Sequence, residues 1–128
     1  MLKRITCDHC HRAKDEKETV VVFRHFKEGD IVALFPELPS DVNGFYCECY
    51  AHIGQHGGAD TGLVYSTKPA NEADEDVQAL IRELTGCPYH YRLRILRRIP
   101  RTSYAKRQAA LRVQYNAVAK NGGEHHHE

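Results

Sequence analysis

Two runs of β-branched and aromatic residues, Thr19 to Phe26 and Ile31 to Phe35, are separated only by Lys27-Glu28-Gly29-Asp30, and this pair constrains the fold most strongly. Four residues with a glycine make a tight turn, so the runs form a hairpin. Both strands are apolar at odd and even positions, which predicts that they lie in the middle of a sheet covered on both faces.

The flanking segments fit around that hairpin. Residues 36–44 carry Pro36, Pro39 and Asn43-Gly44; prolines remove ladder donors and Asn-Gly favours a turn, so a connecting loop is expected. From Phe45 to Ile53 the pattern alternates, with Cys47, Cys49 and Ala51 on one side and Tyr46, Glu48, Tyr50 and His52 on the other, as in a half-buried strand. A glycine-rich loop is expected over residues 54–62, and a short strand from Leu63 to Thr67.

Asn71 is placed to cap a helix whose first turn holds Glu72, Asp74, Glu75 and Asp76, with Val77, Leu80, Ile81 and Leu84 as its apolar stripe and Gly86 as its end. Tyr89, Tyr91, Leu93 and Ile95 then alternate with His90, Arg92, Arg94 and Arg98, predicting a strand with a basic outer face. A second helix, capped by Thr102 or Ser103, is expected to turn Tyr104, Leu111, Tyr115 and Val118 inward and Lys106, Arg107 and Arg112 outward. The predicted class is α+β: a mostly antiparallel sheet of about five strands in the order ββββαβα, with its helices on one face. Residues 19–120 form the domain, residues 1–18 an N-terminal arm and residues 121–128 a flexible tail.

At 128 residues there is room for one core, and no apolar run approaches the roughly 18–20 residues of a membrane span. The N-terminus lacks the apolar segment of a secretory signal, so the expected location is cytoplasmic. In a reducing compartment the five cysteines are read as thiols or metal ligands. Cys7 and Cys10 have the two-residue spacer that lets two sulfurs converge on one ion, and residues 5–10 resemble the first knuckle of a zinc ribbon. Zn2+ is the metal this spacing suits. Cys47 and Cys49 could complete a four-cysteine site, with His9, His11, His52 and His56 as other donors; equally, Cys47 and Cys49 can pack as small hydrophobes. Cys87 is expected as a buried thiol.

Net charge is only +1, but the signs are sorted along the chain. Residues 1–27 carry seven Lys/Arg against four Asp/Glu, residues 28–86 two against eleven, and residues 87–128 nine against two. The basic third can neutralise phosphates through Arg92, Arg94, Arg98, Lys106 and Arg107, with Tyr46 and Tyr50 as stacking surfaces for nucleic acid. The acidic segment, through Glu72, Asp74 and Glu75, can meet a basic host protein instead. The remaining possibility is that the two regions satisfy each other. A metal-dependent hydrolase is the alternative class, with His52, His56 and Asp60 around the glycine-rich loop and Glu48 nearby.

Ala33-Leu34-Phe35-Pro36-Glu37-Leu38-Pro39, Gly44-Phe45-Tyr46-Cys47, Tyr50-Ala51-His52-Ile53-Gly54-Gln55-His56-Gly57-Gly58-Ala59-Asp60 and Thr67-Lys68-Pro69-Ala70 resemble a group of small uncharacterised proteins encoded by bacteria, their phages and their plasmids. The likeness spans roughly residues 20–112. Members typically lack the knuckle at residues 7–10 and need not have cysteine at position 49, so the group does not imply a four-cysteine site. The resemblance implies a mobile-element setting and no reaction: a non-enzymatic binding protein that engages nucleic acid or a host protein, including as an inhibitor of host defence.

Overall fold

The computed structural model describes residues 17–51, 55–87 and 89–122. Cys7, His9, Cys10, His11 and His52 lie outside the described residues, as does the side chain of His56. The expected zinc knuckle and the histidine pair of the hydrolase reading are therefore not described.

The hairpin is the centre of the sheet. Strand β1 (Glu18–His25) pairs antiparallel with β2 (Ile31–Pro39), β2 with β3 (Tyr46–Ala51), and β3 with β4 (Gln55–Asp60). The other edge of β1 is divided between two strands. Its first half pairs parallel with β6 (Arg92–Leu96), and its last residues pair antiparallel with the two-residue β5 (Lys68–Pro69). Gly29, at φ 98°, makes the hairpin turn possible, since a side chain is strained in that region.

Period-two alternation sends Val21, Phe23, Ile31, Ala33, Phe35 and Tyr50 to one face of the sheet and Val32, Leu34, Cys47 and Ala59 to the other. The helix α1 (Glu75–Thr85) covers the first face with Val77, Leu80 and Leu84, all fully buried. Burying each such side chain contributes about 1.5–3 kcal/mol, which is what holds this helix on the sheet. Its cap is Asp74, whose carboxylate accepts from Asp76 N at 2.8 Å; Asn71, the expected cap, instead accepts from Ala73 N one turn earlier. Tyr89, Tyr91, Leu93 and Ile95 join the same cluster, as their alternation predicts. The Tyr91 ring lies 5.5 Å from Phe35, and Tyr89 meets Tyr50 edge-on at 5.5 Å.

Several expectations are corrected. The glycine-rich stretch is strand β4, and Leu63 to Thr67 is mostly a 3-10 helix, Thr61–Tyr65. An edge strand needs only one partner, and a Cβ at Gly58 would sit 2.2 Å from Ser40 Oγ, so glycine there permits a close approach. Strand β2 runs through Pro36 and Pro39 because the ladder shifts register between Phe35 and Pro39, where no proline donor is required. His90 is buried rather than outward, at φ 56°, and the strand begins after it. Cys87 is exposed.

The second helix departs furthest. Helix α2 (Ser103–Gly122) adds no residue to either apolar cluster among the described residues. It sits instead on the second half of β2 and the β2–β3 connection, residues 40–45. Arg107 is buried, 3% exposed, and donates to Gly44 O at 2.8 Å and to Pro36 O. Gln108 Nε2 donates to Asn43 O at 2.5 Å, and Lys106 Nζ pairs with Glu37 at 3.1 Å. Tyr104 stacks on Phe45 with both rings partly exposed, and Tyr115 is exposed, so neither tyrosine is turned inward as expected; Leu111 is half-buried beside Gly44, and the side chain of Val118 lies outside the described residues.

Candidate nucleic-acid interface

The candidate site grows from a polar residue in an apolar strand. Arg24 follows Val20 and Val22 on the second face of β1 and is only 8% exposed. Its guanidinium is held by neutral acceptors: Nε donates to Thr67 Oγ1 at 3.0 Å, and Nη2 donates to Val64 O at 2.6 Å and Thr67 O at 2.5 Å. Burial lowers its pKa from the ordinary value, but an arginine stays charged at any physiological pH. Because its hydrogen-bond partners carry no formal charge, its positive field is felt beyond them.

Those acceptors belong to the 3-10 helix and the turn after it. Asp60 caps this helix, its Oδ1 accepting from Gly62 N at 2.8 Å, and Leu63 O accepts from Ser66 N and from Thr67 Oγ1. Leu63 and Val64 pack against the second apolar cluster. With its neighbours pinned inward, Tyr65 at the end of the helix projects outward and is 92% exposed.

Strand β6 supplies the rest. In parallel register with β1, Arg94 is beside Val20 and Leu96 beside Val22, so Arg94 lies on the same face as Arg24. The chain then leaves the strand at Arg97 and Arg98, both exposed, while Ile99 turns back into the second cluster. A cavity of about 640 Å³ results, with Arg24, Arg97, Arg98, Tyr65 and Asp60 in its lining. Three positive groups face one carboxylate, so the cavity favours an anion.

Tyr65 also lines a second cavity, of about 570 Å³, beside His25, Lys27 and Lys68. The exposed ring is thus a ridge between two hollows that both carry basic side chains. Sequence reasoning missed Arg24, Lys27, Tyr65 and Lys68 as site residues. The signal for Arg24 was a charge on the inward parity of an apolar strand; Tyr65 fell in a segment read as a strand, where its exposure could not be seen.

The residues expected for nucleic acid are not brought together. Arg92, Arg94 and Arg98 are exposed at the β6 edge, but Lys106 is paired with Glu37 and Arg107 is buried against backbone carbonyls. Tyr50 is 2% exposed, on the opposite face, its hydroxyl donating to Glu83 Oε1 at 2.9 Å. Burial and that bond push its pKa well above the ordinary phenol value. Tyr46 is half-exposed on β3, three strands from β6 and on the other face from Arg94. Tyr50 is thus enclosed, and Tyr46 is not beside those arginines.

The acidic residues Glu72, Asp74 and Glu75 are exposed at the start of α1, and Glu72 approaches the basic region at a cavity of about 410 Å³ that Arg97 also lines. Cys47 is fully buried in the second cluster, and desolvation pushes its thiol up to about 11; Cys49, partly buried beside it, is raised for the same reason. They pack as neutral thiols. Glu48 is half-buried on β3, and the Asp60 carboxylate is engaged in capping. Among the described residues no three His, Cys, Asp or Glu side chains converge where a metal ion could be held, and no helix is long and apolar enough to cross a membrane. No family model, curated protein or solved structure matches the chain.

Proposed function

We propose that this protein binds nucleic acid through the edge formed by β6 and the 3-10 helix. The observation that carries the reading is the cavity lined by Arg24, Arg97 and Arg98 against the single carboxylate of Asp60. Guanidinium groups grouped on one face displace condensed counterions from phosphates, which gives affinity without sequence preference. Arg94 and Arg101, close in sequence to Arg97 and Arg98, are both exposed and add to the positive charge of this region.

The test is retention of an oligonucleotide at low salt by filter binding. Reversing Arg94, Arg97 and Arg98 together to Glu should abolish retention, whereas reversing Glu72, Asp74 and Glu75 to Lys should preserve or strengthen it. Retention unchanged by the arginine reversal rejects the reading. Loss of a copurifying basic protein on the acidic reversal, with no nucleic acid bound by the parent, would favour the protein-partner alternative.

A further inference from the structure

We infer that the strand bound at this edge is single-stranded, with one unpaired base stacked on Tyr65. This rests on the nucleic-acid reading of the same site and adds the form of the ligand. A tyrosine ring 92% exposed would ordinarily be a weak place to spend an aromatic side chain, because it buries nothing against its own fold. Here its backbone is fixed: the Asp60 cap and the bonds to Leu63 O hold the short helix, and Val64 anchors it from below. The ring is therefore presented from a supported position.

What surrounds the ring points to the ligand. On one side the hollow carries Arg24, Arg97 and Arg98; on the other it carries Lys27 and Lys68 with His25. An aromatic face flanked on two sides by cations matches a chain in which bases alternate with phosphates, the base lying on the ring and the backbone continuing into both hollows. A duplex cannot use the ring in this way, since its bases are stacked on one another and only their edges reach the grooves. A protein partner with an acidic surface would use the cations and bury the ring as well, but it would not separate a single strand from a duplex, which the ring does here.

Fluorescence anisotropy with labelled oligonucleotides separates these cases. The probes are a mixed-sequence single strand of about a dozen nucleotides and the duplex of the same sequence. Tyr65→Ala should weaken single-strand binding about tenfold, the order expected for one lost base stack, and Tyr65→Trp should restore it. Duplex binding should change by less than about twofold for both variants. Arg97→Glu with Arg98→Glu should weaken both probes. If Tyr65→Ala leaves single-strand affinity unchanged while the arginine reversal abolishes it, stacking is wrong and the nucleic-acid reading stands. If the parent protein binds neither probe at low salt, both fall. Because Tyr65 is exposed, its variants should melt within about 2 °C of the parent, which makes an affinity loss attributable to the ring.

Discussion

Arg24 and Arg107 have the same side chain as Arg97 and Arg98, yet the fold treats the two pairs in opposite ways. Arg107 is enclosed at the β2–β3 connection, where its guanidinium donates to two backbone carbonyls, those of Gly44 and Pro36. Arg97 and Arg98 stand at the end of a strand, with no such carbonyls drawing them inward among the described contacts. Arg24 lies between the cases: enclosed like Arg107, it still contributes to the wall of the cavity that Arg97 and Arg98 line. A guanidinium is held in the fold where several backbone acceptors lie within reach of its fork, because each bond to them offsets part of the cost of its burial.

That contrast breaks most visibly at Arg107. Replacing it with Ala should destabilise the protein by about 3 kcal/mol, measured by urea denaturation, because two buried carbonyls lose their donor. Lysine should rescue little of this, as a single ammonium cannot span both acceptors. Arg97→Ala and Arg98→Ala should each move stability by less than about 0.5 kcal/mol. Equal costs at the buried and exposed positions would remove the distinction.

The crowded side of the sheet offers a second test. Gly58→Ala should cost about 1–3 kcal/mol in the same assay, from the overlap with Ser40 Oγ, and Ser40→Ala in the same chain should recover most of it. Independent, additive costs would mean that the β4 edge is not packed against residue 40.

Alkaline titration probes the interior at β3, away from the basic edge. The Cys47 thiol is raised from 9.0 to about 11 by desolvation, and the Tyr50 hydroxyl is also raised. Groups whose folded pKa lies above the unfolded value favour the folded state while protonated; the Cys47 contribution is full below pH 9 and is lost as pH rises toward 11, and that of Tyr50 is full below pH 10 and declines above it. Stability should therefore be level from about pH 7 to 9 and fall above it. At pH 8, a thiol reagent should reach exposed Cys87 well before Cys47. A smaller loss of stability, about 1 kcal/mol, is expected for Asp74→Ala from the lost cap of α1.

Much of the sheet was legible because burial and sequence period agree there. Val20 to Phe23 and Ile31 to Phe35 are buried on both faces as their unbroken apolar runs predict, Tyr89, Tyr91, Leu93 and Ile95 pack on one cluster as their alternation predicts, and Val77, Leu80 and Leu84 place α1. The rest depended on contacts between distant residues. Nothing local in Ser103 to Gln108 reveals that Arg107 answers carbonyls 63 and 71 positions earlier. The glycines of β4 read as a loop because edge pairing with β3, not propensity, makes them a strand. Basic residues could be counted from the sequence, but which of them share a cavity with Tyr65 follows from the parallel pairing of β6 with β1, and no sequence period encodes that.

The central claim is that the exposed arginines of the β6 edge contact phosphates while the enclosed Arg107 does not. The most direct measurement is the salt dependence of single-strand affinity for the parent and for the Arg97→Ala, Arg98→Ala double variant. Each phosphate contact contributes about 0.7 to the slope of log affinity against log salt, so the double variant should be shallower by about 1.4. An unchanged slope, with affinity intact across the salt range, would contradict the account.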